Sequence, residues 1–537
     1  MKTMKKYLSM AALALVGAIM TGCSSSDDDS MIDNPQQPES KSKVVTLTTK
    51  VGFDGGATTR ALTSDGTKTF ATGEQIAVIY KTNGGATAKA VSEALQNNGD
   101  ITDGGKSATF TVTLDDPNKS AKVTYIYPAA MANSDGSINN AALNSQDGTL
   151  ATLSSNLDLA TYTGAWNAGA LPTGTLTNQL AILAMTLKND AGGSNITSSI
   201  TGMTIKEGSN TYTITGHNTD GKIYVAIFPM TSATIDVTAT NGTYSYVKTL
   251  TDKTYAASNG YDVTWKMAEV ISGKFTVSSG KQVYFSKGNL RATGTTASTP
   301  TSGWTWSFAT NQWDKIGNAT ANTSINGDGK ISANGTVDLF GWSTSNTYLG
   351  INNSTSNSTY EGTFSDWGKH SDVIAGIGSG WRTLSGDEWY YLFITRSTTS
   401  GKHYCKAKVN GVFGVILLPD DWSTSYYSLE ICDVGYLSFS DGAIPDKNKI
   451  SLADWNTYFI PHGVVFLPTT GHRYKDDNTS VDAPDGRLYY WSSTKGGTES
   501  GDGANANQMY IGGDAVSPNT GAGRRFGSAV RLVRDVK

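Results

Sequence analysis

The sequence predicts a mainly β chain, with antiparallel β-sandwiches in its first half and a loop-rich α+β module in its second. Three observations carry this. Short runs alternate apolar and polar residues at a period of two, so that one face meets a core and the other meets water. Asn, Asp and Gly clusters separate those runs. Beyond about residue 270 the composition changes, and most of the 12 tryptophans lie past residue 300. The length of 537 residues requires more than one domain.

The chain opens with Lys2, Lys5 and Lys6, followed by an apolar run over residues 7–20 that is short for a stable bilayer span. It closes on Met20-Thr21-Gly22-Cys23, which resembles a lipobox, with Met20 where leucine is commoner. The resemblance implies a signal peptide over residues 1–22. It also implies a Cys23 thiol that takes up diacylglycerol, with palmitate-type acylation. Each buried methylene contributes roughly 0.8 kcal/mol, so several chains give a durable membrane anchor. An ordinary secretory signal with a chance cysteine is the plainer alternative. Ser24-Ser25-Ser26-Asp27-Asp28-Asp29 resembles the surface-export signal of Bacteroidales lipoproteins, which implies an outer-membrane, cell-surface location. A solvated spacer is the other reading. Residues 23–43 hold little to bury and read as a flexible acidic tether.

The net charge of −4 and pI near 5.8 give no basic footprint for nucleic acid. Besides Cys23 only Cys405 and Cys432 remain. In an exported chain that even pair suits a disulfide, with two free buried thiols as the alternative.

From Val44 the alternation is regular: Val45, Leu47, Thr49, Val51 and Phe53 share one phase. Thr109-Phe110-Thr111-Val112-Thr113-Leu114 and Thr234-Ile235-Asp236-Val237-Thr238 repeat it. Turn clusters stand at Asp54-Gly55-Gly56, Asn83-Gly84-Gly85 and Asn241-Gly242. Two similar strand-then-proline segments end at Pro128 and Pro229, about one domain length apart. They divide the half into residues 44–165 and 166–268.

The lipoprotein start, Thr59-Arg60-Ala61, Phe70-Ala71-Thr72-Gly73-Glu74-Gln75-Ile76-Ala77-Val78, Leu180-Ala181-Ile182-Leu183 and Tyr224-Val225-Ala226-Ile227-Phe228-Pro229 together resemble the fimbrillin family of Bacteroidales. The order of these segments carries the resemblance, over about residues 1–268. It implies two transthyretin-like β-sandwich domains and a role in pili. In that family a trypsin-like protease cuts after an arginine of the first loop, releasing the lipid and the first strand. A strand from another fimbrillin subunit then fills the open groove by β-augmentation, which is donor-strand exchange. Arg60 matches that arginine, so the cut would fall between Arg60 and Ala61 and remove residues 44–53. An ordinary loop arginine is the alternative.

In the second half Gly341-Trp342-Ser343, Asp366-Trp367-Gly368 and Tyr490-Trp491-Ser492-Ser493 recur as aromatic turns, suited to a loop-rich core. One short helix is expected over residues 385–393. Ser385 is its N-cap, Asp387 and Glu388 sit in the first turn, and Trp389, Leu392 and Phe393 share a face. The ordered set from Gly380-Trp381-Arg382-Thr383-Leu384-Ser385-Gly386-Asp387-Glu388-Trp389 through Val415-Ile416-Leu417-Leu418-Pro419-Asp420, Val465-Phe466-Leu467-Pro468 and Tyr490-Trp491-Ser492-Ser493 to Val530-Arg531-Leu532-Val533-Arg534 resembles the C-type-lectin-like fold. Its nearest branch is that of formylglycine-generating proteins, over residues 271–537.

Catalysis is not expected. The redox cysteine pair of formylglycine generation stands near the end of its domain, whereas Cys432 lies more than a hundred residues from residue 537. His217, His370, His403, His462 and His472 show no metal-ligand spacing. Asp387 and Glu388 are adjacent, and adjacent helical residues point apart. No cofactor is expected. The calcium loop of lectins is not intact, and the oxygen-rich segment over residues 476–486 offers Asp482 and Asp485 as weak calcium candidates. Trp304, Trp306 and Trp313 would serve either as sugar platforms or as core.

The order of domains suggests a pilus tip. A fimbrillin stalk subunit accepts one strand and donates one from its C-terminal side. Here that side continues into a folded module, which obstructs donation. The module would then be an adhesin for a surface glycan or protein, on a fimbrium after processing. The alternative is a free-standing surface lipoprotein that binds glycan or protein without pilus assembly.

Overall fold

A computed structural model describes residues 44–53, 69–96, 99–157, 159–316, 319–326, 329–370, 374–435, 438–474, 480–496, 505–513 and 515–536. Strands make up 44% and helices 11%, so the chain is mainly β as expected.

The first array has eight strands, in the order Thr87–Val91, Ala77–Lys81, Val123–Tyr127, Ala160–Gly164, Gly174–Asn178, Val44–Phe53, Ser107–Asp115, Ile101–Thr102. Both ends of this array share one core. Val78, Val123 and Tyr125 from one side meet Val51, Phe110, Val112 and Leu114 from the other. The Asn83-Gly84-Gly85 turn joins Ala77–Lys81 to Thr87–Val91 in an antiparallel hairpin. Asn241-Gly242 does the same for Met230–Thr240 and Ser245–Tyr255 in the second array. Asp54-Gly55-Gly56 lies outside the described residues.

The second array has the order Ile223–Ile227, Ala181–Asn189, Gly260–Val270, Ser245–Tyr255, Met230–Thr240, Gly202–Glu207, Asn210–Ile214, Ser145–Gln146. The arrays interleave along the chain. The expected division near residue 165 falls between two strands of the first array, Ala160–Gly164 and Gly174–Asn178. Met131, Leu143, Leu153 and Leu157 precede that point, yet they pack in the core of the second array. Ser145–Gln146 pairs parallel with Asn210–Ile214. The buried Gln146 side chain fastens the segment: its amide donates to the Ala226 carbonyl at 2.8 Å and its oxygen accepts from the Ala226 N–H at 2.9 Å.

After Val270 the sheets become small, with four, three, four, two and three strands. Loops supply much of this core, and tryptophan makes that workable. The buried indoles of Trp306, Trp342, Trp367, Trp381 and Trp491 each donate to a backbone carbonyl at 2.6–3.1 Å, several of which belong to loops. Arg473 and Arg531 are also fully buried. Arg473 donates to the carbonyls of Asn322 and Asn352, and Arg531 to the side chains of Asn289 and Gln312. Burial pushes both guanidinium groups down to about 10, which leaves them charged at neutral pH.

The expected helix is present. Gly386–Tyr390 is α-helical and Tyr391–Thr395 continues as one π turn. Ser385 caps it and Glu388 returns a hydrogen bond to the Ser385 N–H, closing a capping box. Trp389, Leu392 and Phe393 face the core.

Cys405 and Cys432 form a disulfide across 27 residues of chain. Cys405 is fully buried among Ala407, Ile416 and Trp422. On a chain-entropy argument a loop of this size stabilises by about 3–4 kcal/mol. The double variant Cys405→Ser with Cys432→Ser should therefore unfold at distinctly lower denaturant concentration. The oxidised wild type should move toward it on reduction, and equal midpoints for the two proteins would refute this.

Candidate assembly groove and binding cleft

Two strands contrast in how their edges are paired, the first and the last that the structure describes. Val44–Phe53 pairs antiparallel with Ser107–Asp115 from Val44↔Asp115 to Gly52↔Ser107. On its other edge, among the described residues, only Val51, Gly52 and Phe53 pair, in parallel with Gly174, Thr175 and Leu176. The anchoring side chains are at the same end. Val51 is fully buried, Thr49 donates to the Pro172 carbonyl at 2.8 Å, and Phe53 stacks on Phe70 at 4.2 Å. Val45 and Leu47 are half-buried and Val44 is exposed. The strand thus closes a core while most of one edge carries no ladder. Beside it on Ser107–Asp115, opposite Thr49, Leu47 and Val45, stand Phe110, Val112 and Leu114, all at 0–1% exposure. Withdrawing the strand would take Val51 out of the core and uncover the flank of these side chains, at a cost of roughly 1.5–3 kcal/mol for each side chain fully exposed.

Phe53 and Phe70 stand on either side of the segment that holds Arg60 and Ala61, and their rings touch. Arg60, Ala61 and Cys23 themselves lie outside the described residues.

Leu532–Asp535 has the opposite character. It lies inside a four-stranded sheet, antiparallel both to Lys281–Phe285 and to Arg382–Thr383. Leu532 and Val533 are fully buried. Its end is clamped by charge. The Arg382 guanidinium donates to Asp535 Oδ1 at 2.8 Å and bidentately to Glu388 at 2.6 and 2.8 Å, and Lys281 reaches Glu388 at 3.0 Å. One residue before Asp535, Arg534 forms an ion pair at 3.6 Å with Asp190 of the second array.

Asp387 and Glu388 do not act together. Glu388 faces Arg382, whereas Asp387 Oδ1 accepts from the Asn519 amide at 3.5 Å. The histidines are apart as well. His403 sits 3.3 Å from Asp433, which raises its pKa. His472 is packed against Tyr489 and Phe526, and burial pushes it down to about 4. Asp482 faces Arg487 at 3.6 Å and Asp485 pairs with Lys315. Among the described residues no group of three or more His, Cys, Asp or Glu is placed to hold a metal ion.

The three tryptophans considered as platforms separate. Trp304 and Trp306 are buried in the core. Trp313 is half-buried and lines a cleft of about 230 Å³ between the Thr243–Tyr244 turn of the second array and Trp455 of the C-terminal module. An adjoining cleft of about 360 Å³ shares Thr243, Tyr244 and Ile460. Sequence reasoning missed Trp455, Asn456 and Tyr244 here, and missed the Arg382–Glu388–Asp535 clamp. These residues are distant along the chain, and no local pattern joins them.

No family model matches the chain, and no curated protein does. Solved structures with some likeness include a fimbrial assembly protein from Parabacteroides distasonis, at 10% identity and a TM-score of 0.26, spanning 46% of this chain and 95% of that one. They also include the C-terminally truncated tip fimbrial protein from Porphyromonas gingivalis, at 11% identity and a TM-score of 0.19, spanning 39% and 81%. Likenesses this low transfer neither fold nor function.

Glu388 provides a pH test of the clamp. Burial alone would raise its carboxyl, but the hydrogen bonds from Arg382 and the Ser385 N–H, with the Arg382 charge, hold it below the ordinary glutamate value of 4.5. A depressed folded pKa stabilises the fold above the unfolded pKa, and that contribution disappears as pH falls through the folded value. Glu388→Gln should therefore be less stable than wild type at pH 7. The gap should shrink steadily below about pH 4.5 in denaturation series. A gap independent of pH would refute the clamp.

Proposed function

We propose that this chain is a surface-anchored pilus subunit that accepts a strand but does not donate one, and that it presents its C-terminal module as an adhesive tip. The observation that carries this reading is the position of Leu532–Asp535 inside its own sheet. A strand paired on both edges, buried at Leu532 and Val533 and clamped through Asp535, is not available to a neighbour. Val44–Phe53 supports the accepting half. It fills a place in the sheet beside Phe110, Val112 and Leu114, with one edge largely free of partners among the described residues. The lipobox at Cys23 accounts for attachment to the outer membrane, and Arg60 for release from it. On this reading residues 271–537 form the lectin-like adhesin, and the two interleaved arrays of residues 44–268 form the fimbrillin-like stalk of the subunit.

A second reading has its own support. The nine residue pairs that Val44–Phe53 makes with Ser107–Asp115 satisfy the first sandwich without any partner subunit. Left uncut, the chain is a tethered surface receptor for glycan or protein.

N-terminal sequencing of protein from isolated surface fibres separates the two. A start at Ala61 is expected. Fibre material that always retains acylated Cys23 would leave only the receptor. The groove itself is tested by cutting purified protein after Arg60 and displacing the freed strand. The cut protein should lose several kcal/mol of stability, given roughly 1.5–3 kcal/mol for each bared side chain. A synthetic peptide of the Val44–Phe53 sequence should restore it. Unchanged melting after displacement would refute strand acceptance.

A further inference from the structure

The seam between the second array and the C-terminal module has a chemistry of its own. None of the residues lining its two joined clefts carries a formal charge, in a chain where about one residue in six does. One wall is hydroxyl-rich, with Thr213, Thr238 and Thr243. The other holds the two indoles of Trp313 and Trp455, set edge to face at 6.3 Å, beside the exposed amide of Asn456. The volumes, about 230 and 360 Å³, together fall in the range of roughly 300–1,000 Å³ typical of small-ligand sites.

Most of the core indoles are hydrogen-bonded, with the buried Trp304 N–H an exception. Trp306, Trp342, Trp367, Trp381 and Trp491 spend their N–H on a backbone carbonyl, and none of the five lines this cleft. Trp313 and Trp455 have no such partner among the described residues, although Trp455 is 1% exposed. A tryptophan that is largely buried ordinarily finds an acceptor for this donor. Two donors without one, on the wall of a single neutral cleft, suit a ligand that brings neutral acceptors.

We infer that this cleft is a binding site for a neutral oligosaccharide. Sugar rings present a C–H face, which packs on an indole, and a rim of hydroxyls that donate and accept. The Asn456 amide, the threonine hydroxyls and the two indole N–H groups match that rim without any charge. A purely apolar peptide would leave these groups unpaired on burial, which disfavours it. A sialylated or sulfated glycan would find no cation to receive it. Because the site is built from both the second array and the module, neither part alone forms it. The inference rests on the adhesive reading above and names the ligand class.

The test uses the full chain and a panel of immobilised neutral, sialylated and sulfated oligosaccharides. The strongest neutral binder is then titrated against tryptophan fluorescence. Neutral members should bind, and Trp313→Ala and Asn456→Ala should each weaken that binding at least tenfold, with the melting temperature of the exposed Asn456→Ala variant nearly unchanged. Trp313→Phe should recover much of the affinity. Because Asn456 is exposed, its variant remains decisive if Trp313→Ala does not fold. The inference is overturned by binding confined to anionic members or by neutral binding indifferent to both variants. A chain that adheres to cells yet binds no panel member overturns this cleft and leaves the adhesive reading standing. A chain that neither adheres nor binds the panel ends both.

Discussion

A β-strand with both edges hydrogen-bonded is committed to its own sheet, and the C-terminal module depends on one such strand. Leu532–Asp535 is flanked by segments from the start and the middle of the module, Lys281–Phe285 and Arg382–Thr383. It is therefore the closure that joins the start of the module to its middle. Asp535 extends that closure to Arg382 and so to Glu388 at the helix cap, linking helix, sheet and terminal strand in one charge network. Val44–Phe53 is the physical opposite, buried at one end and half-paired along the other. One strand is sealed into its sheet, and the other leaves most of one edge unpaired among the described residues.

The clamp also bears on how the module meets the second array. Arg534 belongs to the same strand and packs over Trp381, while its guanidinium faces the buried Asp190 carboxylate. Burial raises the Asp190 pKa and the Arg534 charge opposes that shift. Gly378 lies against this carboxylate with φ of 73°, where any side chain would collide with it. A little further along the seam Glu269 meets Lys287 at 3.4 Å, and Val270 enters the module's core. Contacts of this kind hold a seam in one geometry, which a binding site made from both sides of that seam requires.

A core built from loops needs many satisfied backbone groups, and the side chains of this module supply them. Indole N–H groups and buried guanidinium groups bind carbonyls that no sheet reaches, such as those of Leu349, Asn352 and Tyr360. The few strands are short because these side-chain bonds do part of the work of a ladder.

The sequence by itself determined the elements whose signals are local. Period-two alternation marked Val44–Phe53 and Ser107–Asp115, Asn-Gly turns marked two hairpins, and Ser385 marked the start of the one expected helix. Each depends on residues within a few positions of one another, so a linear reading suffices. Tertiary structure alone decided which strands are neighbours. Residues 131–157 serve the core of the second array although strands on both sides of them belong to the first. Trp304 and Trp306 went to the core while Trp313 came to line a cleft with Trp455, more than a hundred residues away. Burial and pairing over such separations follow from the closure of whole sheets, and no local pattern of residue types encodes them.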